Sequence, residues 1–177
     1  MFTLILGGAR SGKSALAEEL AHRSGNAVTF VATCPRIDGD DDLARRIERH
    51  RADRPAGWTT VEEELDLAGA IERVGKGVVV VDCLTLWVGN LQFRGDGVEA
   101  VMAASQRALD AIRHRPGDTV VVSNEVGLGI VPADALSRDY RDLLGRVNRD
   151  WAAAADRALF LVAGRALPLH DPHDLLG

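Results

Sequence analysis

Gly7, Gly12, Lys13 and Ser14 stand at the spacing G-x4-G-K-S within the stretch GGARSGKS at 7–14. Glycines in such a loop let successive backbone N–H groups turn inward around an anion, where side chains would obstruct the approach. A helix starting near Lys13 adds its partially positive N-terminal end. The adjacent ammonium and hydroxyl then meet the needs of a nucleoside triphosphate. Lys13 reaches the β- and γ-phosphates, and Ser14 coordinates Mg²⁺ or a similar divalent cation. A ligand-free glycine turn would not require the Lys-Ser pair. Gly8, Ala9, Arg10 and Ser11 complete the loop.

A second acidic element follows at VVVVD, residues 78–82. Its Asp82 ends an apolar run, the form in which a strand presents a carboxylate to Mg²⁺ directly or through water. An acid in that position is by itself often only a solvated loop residue. Paired with the glycine loop, Asp82 and Ser14 become the candidate metal ligands. Ser123, Asn124 and Glu125 follow another apolar run. They fit two readings equally: sensing the γ-phosphate or orienting an acceptor hydroxyl, or closing a capped turn before Gly127 and Gly129.

The segment from Arg45 to Pro55 holds five arginines, Arg45, Arg46, Arg49, Arg51 and Arg54, offset only in part by Glu48 and Asp53. A solvated helix face accounts well for Arg45 and Arg49. His50 falls on the apolar stripe of Leu43 and Ile47, so it is expected to point inward. An inward histidine is more often a satisfied core residue than a catalyst. Its arginine neighbours shift that balance, because nearby cations keep an imidazole neutral and nucleophilic and also bind phosphates.

These residues need a scaffold. Five apolar runs, 2–6, 27–32, 78–81, 119–122 and 158–163, lack strict alternation and suit buried strands of a parallel sheet. Helical patterns at 14–23, 41–53, 64–74, 98–114 and 135–155 lie between them, with Pro132 as a boundary signal before the last. The alternation predicts βαβ units with helices on both faces, in a single α/β domain spanning 1–169. The polar stretch 34–60 is too long for a tight loop and is expected to be a helix-bearing excursion beside the nucleotide site. The tail 170–177 is expected to fray.

With 177 residues, 46% of them hydrophobic, the chain supports one buried core. A net charge of −5 disfavours unspecific binding to nucleic acid. Cys34 and Cys83 are far apart and outside any zinc spacing, consistent with a reducing cytoplasm. No run approaches the ~20 apolar residues of a membrane span, and the N-terminus lacks the pattern of a secretory signal.

Along nearly its whole length, the chain resembles the bifunctional adenosylcobinamide kinase/adenosylcobinamide-phosphate guanylyltransferases of cobalamin biosynthesis. The matching stretches are GGARSGKS at 7–14, RIERHRADRP at 46–55 followed by Trp58, VVVDCLTLWVGNL at 79–91, SNEVGLGIVP at 123–132 and GRVNRDWAAAAD at 145–156. The histidine segment and NEVGLGIVP are the specific ones, since the glycine loop is shared with many proteins. The resemblance implies a P-loop NTPase fold with a RecA-like, mostly parallel sheet. It implies that a nucleoside triphosphate (ATP or GTP) phosphorylates adenosylcobinamide, after which GTP donates GMP to adenosylcobinamide phosphate through a GMP-histidine intermediate.

By the motif match the histidine is His50. The nucleotide-contacting positions are Gly7 to Ser14, then Thr33, Cys34 and Pro35, then Arg51, Ala52, Asp53 and Arg54, with Glu62 and Asp82. The resemblance also implies a homo-oligomer, a trimer among the forms it allows. Two rival readings are a plain small-molecule kinase, in which His50 is merely structural, and a regulatory P-loop switch or motor component acting on a partner.

Overall fold

The computed structural model describes residues 1–35, 51 and 54–175. Seven strands form one sheet: β1 (Phe2–Gly7), β2 (Val28–Ala32), β3 (Thr59–Glu62), β4 (Val78–Asp82), β5 (Thr119–Asn124), β6 (Arg157–Val162) and β7 (Arg165–Leu169). Their spatial order is β3-β2-β4-β5-β1-β6-β7. All neighbours are parallel except β6 and β7, which form an antiparallel hairpin. β5 therefore lies between β1, which runs into the glycine loop, and β4, which ends at Asp82.

Alternation along the strands divides the core in two. Ile5, Val28, Phe30, Val78, Val80, Val120 and Val122 face α1 (Lys13–Arg23), packing on its Ala17 and Ala21. Leu4, Leu6, Val31, Val79, Val81 and Val121 face the other layer. That layer holds α2 (Leu67–Glu72), α3 (Leu84–Phe93), α4 (Val98–His114) and α5 (Ala135–Ala154). Runs of valine that are apolar at every position make sense here, because both faces of β4 and β5 are covered. Among the described residues no helix is long and apolar enough to cross a membrane.

The expected five strands and four of the expected helices are present, with ends moved by a few residues. The strand at 27–32 begins at Val28. The helix at 64–74 contracts to Leu67–Glu72 because Asp66 caps it, its carboxylate accepting from Gly69 N at 3.1 Å. The helix at 135–155 starts behind Asp134, which accepts from Ser137 N at 2.7 Å. β3, β7 and α3 add to the expected elements. The excursion is shorter than 34–60, since Thr59 and Thr60 already belong to β3. The tail holds one exposed 3-10 turn, Pro172–Leu175, and the expected helix at 41–53 lies outside the described residues except for Arg51.

Trp151 shows how the second layer is tied to the sheet. It is fully buried on α5, meets Phe2 of β1 edge-to-face at a centroid distance of 5.9 Å, and donates from Nε1 to Ser105 Oγ of α4 at 2.7 Å. Trp151→Ala is expected to cost about 3–5 kcal/mol through the cavity it leaves, with the Ser105 hydroxyl also losing its donor. Urea unfolding measures this, and a loss below about 1 kcal/mol would contradict the packing role.

Candidate functional site: the carboxyl edge of the sheet

The chain turns from β1 into α1 through residues 8–12, and the turn depends on glycine. Gly7 has φ +154°, and a Cβ there would stand 2.5 Å from Leu161 O and 2.8 Å from Ser11 Oγ. Gly12, the residue before α1, is left-handed at φ +97°. Arg10 also takes positive φ, at 54°. The loop thus wraps tightly over the end of β1 and leads into α1, whose first two residues are Lys13 and Ser14.

Lys13 is 7% exposed, and its Nζ donates to Gly8 O at 2.6 Å and lies 3.4 Å from Ser11 Oγ. The ammonium is folded back into the loop that a phosphate would occupy. Burial lowers its pKa, while the charge of Asp82 acts in the opposite sense. Asp82 follows Val78 and Val80 in alternation, so it projects on the α1 face. The structure therefore brings Lys13, Ser14 and Asp82 to one side of the sheet, at the carboxyl ends of the strands where open α/β sheets bind ligands.

Thr33 is placed here too, but as framework. It is fully buried, and its hydroxyl accepts from Cys83 N at 2.7 Å and donates to Cys83 O at 2.8 Å. Its N–H donates to Asp82 O at 3.2 Å, and its carbonyl accepts from Asn90 Nδ2 at 2.8 Å. Every polar group of Thr33 is committed to holding the turn after β4. Cys34 and Pro35 are half-buried beyond it. Burial pushes the Cys83 thiol up to about 12, which leaves it neutral and no candidate nucleophile.

The arginine segment meets the same edge. Arg51 forms a 2.5 Å ion pair with Glu62 at the end of β3. The Arg54 guanidinium stacks over Phe30 of β2, 3.7 Å from the ring centroid, and donates to Thr60 Oγ1 at 3.3 Å. Burial lowers the Arg54 pKa, opposed by the charges of Glu18, Asp82 and Glu62. Arg51, Arg54 and Glu62 are thus assembled beside β2, with Arg54 within electrostatic reach of Asp82. His50, Ala52 and Asp53 lie outside the described residues.

One group of residues had no assigned role in the sequence. Asn90 Nδ2 also donates to Glu64 O at 3.1 Å. Tyr140 donates its hydroxyl to Thr85 O at 2.8 Å, and Ser123 donates to Asn148 Oδ1 at 2.7 Å. The available signal was polar Thr85 and Asn90 within the apolar stretch 84–93, and Asn148 on the buried stripe of Leu144 and Trp151 in α5.

Comparison with known proteins identifies the family and the fold. The family model for cobinamide kinase/cobinamide phosphate guanyltransferase matches residues 3–169. The bifunctional adenosylcobalamin biosynthesis protein CobP of Pseudomonas aeruginosa is 45% identical over 171 residues, covering 96% of this chain and 97% of that protein. The Escherichia coli K12 protein CobU, of the same description, is 40% identical over 178 residues, covering 93% and 97%. Among solved structures, a type III secretion ATPase aligns at TM-score 0.56 and 13% identity, covering 91% of this chain and 51% of that one. The RadB recombinase aligns at TM-score 0.50 and 18% identity, covering 90% and 73%. These two establish the P-loop NTPase fold alone. The chain belongs to the cobinamide kinase/cobinamide phosphate guanyltransferase family, the bifunctional kinases and guanylyltransferases of cobalamin biosynthesis.

Proposed function

We propose that one site at the carboxyl edge performs both reactions, and that guanylyl transfer proceeds through a covalent GMP adduct on His50. The observation that carries the reading is the seat of Lys13, buried in the glycine loop and in the field of Asp82. A triphosphate entering the loop exchanges the Gly8 carbonyl for phosphate oxygens as the partner of that ammonium. The backbone of Gly7, Gly8, Ala9, Arg10, Ser11, Gly12, Lys13 and Ser14 surrounds the phosphates. Cys34, Pro35, Arg51, Ala52, Asp53, Arg54 and Glu62 contact the rest of the nucleotide, and Thr33 holds the floor beneath them.

Ser14 at the start of α1 and Asp82 at the end of β4 would hold the divalent cation. Both are hard oxygen donors on the phosphate-binding face, which fits Mg²⁺, an ion that takes one or two carboxylates and completes its shell with substrate phosphates and water. When bound, the ion offsets charge on the phosphate oxygens.

In the kinase step the work is positioning and charge stabilisation. In the second step a nitrogen of neutral His50 attacks the α-phosphorus of GTP. A P–N bond forms, the P–O bond to the β-phosphate breaks, and pyrophosphate leaves with Lys13 beside it. A phosphate oxygen of adenosylcobinamide phosphate then attacks the same phosphorus. The P–N bond breaks, imidazole leaves, and adenosylcobinamide-GDP forms. By the family resemblance we place the enzyme in the cytoplasm as a homo-oligomer.

The test is a chase. Enzyme incubated with α-labelled GTP is expected to carry an acid-labile, alkali-stable label, which adenosylcobinamide phosphate discharges into adenosylcobinamide-GDP. Product formation without any labelled protein on the pathway would instead support direct transfer, with His50 structural.

A further inference from the structure

Ser123, Asn124 and Glu125 fit two roles on sequence grounds, and the structure separates them residue by residue. Glu125 closes a turn: its Oε1 accepts from Gly127 N at 2.6 Å. Ser123 is fully buried and faces the α3–α5 layer, donating to Asn148 Oδ1 at 2.7 Å and lying 3.5 Å from Thr85 Oγ1. Asn124 is different. Along β5, Val120 and Val122 pack on the α1 face while Val121 packs on the opposite face. Alternation therefore directs Asn124 to the α1 face, with Lys13 and Asp82.

Its position across the sheet is equally specific. Asn124 is the Cα partner of Gly7 at the end of β1, and its strand is paired on the other side with β4 up to Asp82, opposite Val122. It stands between the phosphate loop and the acidic strand end. Among the described residues no hydrogen bond engages its side-chain amide.

Its backbone, by contrast, is fastened twice. Beyond Asp82 the chain of β4 turns away, so the last residue of β5 lacks a strand partner on that side. Side chains replace the missing strand. Asn124 N donates to Thr85 Oγ1 at 2.7 Å, and Asn124 O accepts from Asn148 Nδ2 at 2.9 Å. Asn148 is 4% exposed, and Thr85 is itself held at its carbonyl by Tyr140. A buried amide and a half-buried hydroxyl spent on one strand end, while that residue's own amide stays uncommitted, are the arrangement of a preset hydrogen-bond donor.

We propose that Asn124 donates from Nδ2 to an oxygen of the γ-phosphoryl group in the kinase step, and that Thr85 and Asn148 are its positioning residues. In that step the hydroxyl oxygen of the acceptor attacks the γ-phosphorus. The new O–P bond forms, the bond to the β-γ bridging oxygen breaks, the nucleoside diphosphate leaves, and the hydroxyl proton passes to water. Asn124 holds the equatorial oxygens in register while negative charge is redistributed over them. The inference rests on the P-loop assignment of residues 7–14.

The experiment measures the rate of adenosylcobinamide phosphorylation by ATP, alongside equilibrium binding of a fluorescent ATP analogue. Asn124→Ala is expected to lower kcat about 10²-fold with the dissociation constant of the analogue within about threefold. Asn124→Asp, equal in shape, is expected to lose at least as much, because a carboxylate faces the phosphoryl oxygens. Thr85→Val removes the acceptor of Asn124 N and is expected to lower kcat about tenfold at unchanged nucleotide KM, and Thr85→Ser is expected to restore it.

If Asn124→Ala does not fold, Asn124→Asp decides the matter. Wild-type kcat in the folded Asn124 variants, or a loss confined to nucleotide affinity, overturns the contact. A Thr85→Val protein with lowered thermal stability but full kcat overturns the positioning role. Lys13→Ala in the same assay separates the two levels: its full activity would remove the P-loop premise, whereas an inactive Lys13→Ala beside intact Asn124 variants removes only this inference.

Discussion

His50→Ala is expected to abolish covalent labelling by α-labelled GTP and to lower guanylyl transfer on the order of 10⁴-fold or more, as removal of a nucleophile does. Phosphorylation of adenosylcobinamide is expected to remain within about tenfold of wild type, because phosphoryl transfer needs positioning and charge, not an imidazole nucleophile. This split between two activities in one protein is a demanding signature. A misfolded variant would lose both. A histidine that only packs would affect both by a similar modest factor. The measurement is the label retained on denatured protein after alkali, with the kinase rate read on the same preparation. Equal labelling of variant and wild type would show that His50 is not the nucleophile. On either side of the segment, Arg51 is ion-paired to Glu62 at the end of β3 and Arg54 stacks on Phe30 of β2, the strand paired with β4.

The second large effect is expected at Lys13, and there the two activities should fall together. Lys13→Ala is expected to reduce both steps by about 10²–10³-fold, the usual range for removing one preset group that stabilises developing charge. The argument is electrostatic. The ammonium is 7% exposed and close to a carbonyl and a hydroxyl of the loop, so a bound polyphosphate meets a cation already stripped of water. Such a charge interacts more strongly with phosphate than an exposed one, and the Asp82 carboxylate helps keep it protonated despite burial. Lys13→Met, closer in volume, separates loss of charge from collapse of the loop. Full activity in both variants would refute the assignment of residues 7–14 to phosphate binding.

The parts of this molecule that were legible in the sequence share a physical cause. Strands β1, β2, β4, β5 and β6 lie inside the sheet, and interior strands of a parallel sheet must be apolar on both faces, which leaves dense valine runs to read. β3 and β7 are edges. β3 is TTVE, with only Val61 contributing to the core, and β7 carries Arg165 and Pro168 in an exposed strand. Neither gives an unbroken apolar run: β3 is mostly polar, and in β7 Arg165 and Pro168 interrupt the leucines. α3 failed in the opposite way. Its buried Leu84, Trp87, Val88 and Leu91 keep helical spacing, but exposed Leu86 and Phe93 are apolar too and blur the stripe.

At the site, the glycine loop and Asp82 were readable because their spacing is local. The clamp on Asn124 was not, because Thr85, Asn124 and Asn148 are brought together only by tertiary packing. Thr33 came from the motif match as a nucleotide-contacting position; its hydrogen bonds to Cys83, Asp82 and Asn90 add a packing role that no local motif spells out.

The hairpin of β6 and β7 has a consequence for the behaviour of the protein in concentrated solution. A strand at the rim of a sheet offers a row of amide donors and carbonyl acceptors on which another polypeptide can grow the sheet further. β7 is exposed along all five residues and carries Leu167 and Leu169, so it has the apolar side chains of a sticky rim. Pro168, opposite Leu159, interrupts that row because it has no N–H to give. Arg165 adds a charge at the start of the same strand. The rim is therefore chemically terminated: an incoming strand finds a missing donor near the end of its template, and sheet-to-sheet polymerisation is discouraged without any covering element.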